Sequence, residues 1–151
     1  MSEPDAVMVR IGEGISLREQ GERAAASDLF AQVWTEIGGE DDDPFHVCAL
    51  AHSMADVQDD VHEELLWDLR ALAAADLLTD ERAARGGVTG SVASFYPSLH
   101  LNLGECYCRL GDLDTAREHL DRGRASVDAL GNDGYSEMIK GGLDRLADRL
   151  G

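Results

Sequence analysis

Gly14 and Gly21 return ninety residues later as Gly104 and Gly111, and the residues around them return in the same order. The first copy reads Gly14, Leu17, Gly21, Ala26 and Phe30; the second reads Leu103, Gly104, Tyr107, Gly111, Ala116 and Leu120. A skeleton repeated in register constrains the fold strongly, because each copy must build the same local unit. The residue types say what that unit is. Small residues at Gly104 and Ala116 let two helices approach closely, while Tyr107 and Leu120 fill the space between pairs. Gly111 supplies the left-handed turn that a two-helix hairpin needs.

The apolar spacing is helical along nearly the whole chain, and three prolines with few β-branched runs leave little room for strands. Val7, Ile11, Ile15 and Leu17 mark a first helix, and Ala26, Phe30, Val33, Trp34 and Ile37 a second that ends at Gly38-Gly39. After the acidic loop Glu40 to Asp43, Asp43 is a natural N-cap and Pro44 suits the first helical position. Phe45, Cys48, Leu50, Ala51, Met54 and Ala55 give that helix its apolar face. Beyond Gln58-Asp59-Asp60, Leu65, Leu66, Leu69 and Leu72 resume the pattern beside Trp67 and Ala73 to Ala75. Arg85-Gly86-Gly87 and Thr89-Gly90-Ser91 predict a loop. Ser94 is the expected cap of the next helix, with Pro97 in its first turn and Gly111 at its end. Leu113, Ala116, Leu120 and Val127 form another, closed by Gly131. Tyr135, Met138, Ile139, Leu143, Leu146 and Leu150 make the last, interrupted by Gly141-Gly142. The expectation is seven helices and no strand: hairpins over 7–38, 44–78 and 95–130, a loop over 79–94, and a capping helix over 134–150.

The spacing L-G-x2-Y-x3-G-x4-A-x3-(large apolar) resembles the tetratricopeptide (TPR) repeat, a helix–turn–helix unit of ~34 residues. The chain is similar in this to small actinobacterial-type TPR proteins. Leu50-Ala51 and Met54 take the leucine–glycine and tyrosine positions of a middle copy, although no glycine ends its first helix. The acidic loop and the 79–94 segment absorb the excess over the ~34-residue spacing. The resemblance implies one domain over 1–151, an all-α, TPR-like right-handed α-solenoid of three helical hairpins plus a C-terminal capping helix that solvates its end. It also implies a concave groove for a peptide or protein partner. By resemblance the groove draws on Met8, Ile11, Ile15, Arg18 and Glu19 in the first copy. The second offers Phe45, Cys48, His52, Ala55 and Asp56, and the third Ser98, Leu101, Glu105, Cys108 and Arg109. The central set is Phe45, Cys48, His52, Asp56, Leu101, Glu105, Cys108 and Arg109. Ser98 and His52 stand where the chaperone-binding subtype has a clamp lysine and an asparagine, and only Asn102 fits that clamp, so that subtype is not expected.

Charge narrows the partner. Thirty Asp plus Glu against thirteen Lys plus Arg leave a net charge of −17. Such a surface repels phosphate backbones and anionic lipid, so neither nucleic acid nor membrane is the expected partner. It attracts basic proteins. Three cysteines without a CxxC spacing give no disulfide framework. No apolar run approaches the ~18 residues of a membrane span, and Met-Ser-Glu-Pro-Asp carries no secretory pattern. A cytoplasmic protein is expected.

Few residues invite chemistry. His52 and Asp56 share a helix face at i, i+4, while His46 lies on another face. A zinc site needs three or four converging ligands, for which His62, Cys106 or Cys108 would have to join them. The expectation is a hydrogen-bonding pair without metal or cofactor. Cys106-x-Cys108 puts two thiols on roughly opposite sides of a helix, and both tryptophans read as core. Gly12-x-Gly14 lies in a helix and lacks the rest of a phosphate-loop pattern. The function expected is therefore a non-enzymatic protein–protein interaction module. A metal- or small-ligand-binding protein or hydrolase built on His46, His52 and Asp56 is the alternative. A homodimer is a third arrangement.

Overall fold

A computed structural model of the protein describes residues 5–88 and 91–151. Among the described residues there are eight α-helices, three short 3-10 segments and no strand. Residues 1–4, and Thr89 and Gly90 of the expected loop, lie outside them. The chain divides into two compact units, Met1–Leu78 and Thr79–Gly151.

In the first unit, α1 (Ala6–Glu19) and α2 (Arg23–Ile37) pack as a hairpin, as do α3 (Pro44–Ala55) and α4 (Val61–Ala75). Each start has a local cause. Asp5 accepts from the Val7 and Met8 amides, Asp43 from Phe45, and Asp60 from His62. Gly21 turns α1 into α2 with φ near +86°, a conformation costly for any residue with a Cβ. Gly14 lies so close to α2 that a Cβ there would run into the Phe30 ring. The α3–α4 turn lacks a glycine, as expected, and is closed instead by Val57 and Gln58 amides donating to Met54 and Ala55 carbonyls.

The second unit holds α5 (Asp80–Arg85), α6 (Tyr96–Arg109), α7 (Leu113–Ala125) and α8 (Gly134–Leu150). The expected 79–94 loop is thus partly helical. Thr79 caps α5 through the Arg82 amide, fully buried Ala83 anchors it, and Val92 N–H donates to Asp80 at 2.8 Å. Ser94 is not the cap of α6, because its hydroxyl donates to the Ser91 carbonyl within the 3-10 turn Val92–Phe95. Nor does Gly131 close α7, which ends at Ala125 and passes into the 3-10 turn Val127–Ala129. The Gly141-Gly142 pair does not interrupt α8. Gly142 makes room for Leu101, whose Cδ2 would lie 2.6 Å from a Cβ at that position.

The α1–α2 and α6–α7 hairpins each carry the repeated skeleton. Gly111 turns α6 into α7 at φ near +84°, as Gly21 does ninety residues earlier. A Cβ on Gly104 would run into Leu146 of α8 at 2.7 Å and touch the Ala116 carbonyl of α7 at 3.4 Å, and Ala26 and Ala116 are both fully buried. Helices α6, α7 and α8 then close on Leu101, Ala116, Leu120, Ile139, Leu143, Leu146 and Leu150.

Candidate interaction surfaces

The groove residues of the first unit divide by polarity. Phe45 and Cys48 are buried, and burial pushes the Cys48 thiol up to about 12, so it stays protonated and non-nucleophilic. Asp56 is exposed but pairs with Arg18 at 2.6 Å. His52 is half-buried, and its Nδ1 lies inside without a hydrogen-bond partner among the described residues. No hydrogen bond joins His52 to Asp56 among the contacts of either residue, so the expected pair is replaced by the Arg18–Asp56 ion pair.

In the second unit Leu101 is 7% exposed and belongs to the core against α8. The side chain expected to anchor an incoming segment is covered by the protein's own last helix. Cys108 packs partly against the same core. Glu105 lies 3.4 Å from Arg149, and exposed Arg109 donates to the Cys106 sulfur at 3.5 Å. The polar candidates that reach the surface are therefore Asp56, Glu105 and Arg109, each already engaged by a neighbour within the chain.

His46 is engaged elsewhere. Its Nε2 lies 2.7 Å from Asp5 and its Nδ1 3.4 Å from Asp42, so the ring bridges two carboxylates. Burial raises the Asp5 pKa, but the bond from His46 and the two helix amides outweigh it and hold the carboxyl below its ordinary value. His46, His52 and Asp56 do not converge their donor atoms on one point.

An apolar cleft lies where no groove residue was expected. It holds about 370 Å³ between Pro44 and Val47 of α3 and Leu66, Leu69, Ala73 and Leu77 along and just beyond α4. Leu66, Leu69 and Leu77 are 42%, 37% and 70% exposed. Arg70 forms part of the wall. Its Nε donates to Glu40 at 2.7 Å, and its guanidinium sits 4.5 Å from the Trp67 ring centre and 5.7 Å from that of Trp34. The two indoles meet edge to face at 4.8 Å. In the sequence Leu66 and Leu69 read only as part of the helical apolar pattern. The missed signal is that α4 carries apolar residues on nearly every side, more than one buried face can accept.

A second feature escaped the sequence. Tyr96, His100, His119 and Tyr107 stack ring on ring between α6 and α7, with centres 5.2–5.9 Å apart. Burial holds His119 below its ordinary value; Arg122 adds to that shift and Glu118 opposes it. Among the described residues no helix is long and apolar enough to cross a membrane. No known protein-family model matches the chain, and no curated protein matches it.

Proposed function

We propose that this chain is a non-enzymatic protein–protein interaction module of the TPR-like class, whose hairpins stack as a right-handed α-solenoid capped by a last helix. The observation that carries the reading is the doubled skeleton. Gly21 and Gly111 take the left-handed turns and Ala26 and Ala116 are the fully buried contacts, each in the same role in its own hairpin, while Gly14 sits against Phe30 of α2 and Gly104 against Leu146 of α8. In that class the ligand, a peptide or protein, lies on the inner helices, and here His52, Asp56, Glu105, Cys108 and Arg109 would meet it. Phe45, Cys48 and Leu101 support the wall from behind. The net charge of −17 favours a basic partner and salt-sensitive association. A cytoplasmic setting without cofactor completes the reading.

The test is affinity capture of a partner from native extract, repeated with the triple variant Asp56→Ala, Glu105→Ala, Arg109→Ala. Exposed ion pairs contribute only ~0–1 kcal/mol each to folding, so the triple variant keeps its helices. Capture by wild type and loss in the triple variant support the reading. Equal capture by both overturns the groove assignment. Leu101→Asp is unsuitable here, because it places a charge in the core and reads out folding.

A further inference from the structure

We draw no further inference here: the strongest candidate, the apolar cleft along α4 where Leu66, Leu69 and Leu77 stand exposed, has a charged lining of Glu40 and Arg70 that is already paired within the chain, and nothing in the structure shows what covers it.

Discussion

His100 and His119 face each other across the α6–α7 hairpin with their Nδ1 atoms 3.0 Å apart, both rings buried. Two imidazole nitrogens at that distance hold one proton between them, one ring donating and the other accepting. A second proton there would set two N–H donors against each other and place a cation inside the ring stack. Tyr96 and Tyr107 cover the outer faces, so little solvent is at hand to relieve it.

Acid should therefore loosen this hairpin. Unfolded, His119 takes up a proton near its ordinary 6.5; folded, burial and Arg122 resist it. The unfolded state then binds more protons as pH falls below about 6.5, so stability is complete above that pH and declines beneath it. Thermal melts at about pH 7.5 and about pH 5.5 should show a lower midpoint in acid, and His119→Gln should shrink that difference. A pH-independent midpoint in wild type would contradict the assignment.

Two neighbouring glycines of α1 should respond oppositely to alanine. Gly12 has open space where a Cβ would go, so Gly12→Ala should stabilise by ~0.5–1 kcal/mol through helix propensity. Gly14 has the Phe30 ring there, so Gly14→Ala should cost ~1–3 kcal/mol through overpacking. Urea denaturation of the pair measures both signs.

Ala116→Arg should destabilise by ~3 kcal/mol or more, since a fully buried position beside Gly104 must then admit a long cation. A wild-type melt would mean that α6 and α7 do not approach as described.

Arg70→Ala should shift tryptophan emission to the red, because water replaces the guanidinium over Trp67 and Trp34, the only two tryptophans. Stability should fall by about 1 kcal/mol, because the Glu40 end of the ion pair is exposed while Arg70 itself is partly covered by the indoles. An unchanged spectrum would remove Arg70 from the cleft wall.

What the sequence made legible was whatever local chemistry decides. Asp43-Pro44 announces α3, Gly111 announces a left-handed turn, and Gly38 announces the end of α2, where it too adopts a positive φ. Helix α5 was hidden because its stability comes from outside its own six residues, through the Val92 amide on Asp80 and the burial of Ala83. Gly141-Gly142 misled for the opposite reason: a poor helix propensity is offset where Leu101 fills the space that Gly142 leaves. For the surface, periodicity identifies an apolar residue without saying which neighbour covers it. Leu101 reads as a groove anchor in the sequence, and tertiary packing puts it in the core while leaving Leu69 exposed.

Partner binding without turnover is tested most directly by calorimetric titration of the captured partner into wild-type protein and the Asp56, Glu105, Arg109 triple variant. The prediction is saturable binding in wild type, about tenfold or more weaker in the triple variant, with the partner recovered chemically unchanged. A triple variant of wild-type helix content that binds equally, or a partner recovered cleaved or modified, would contradict it.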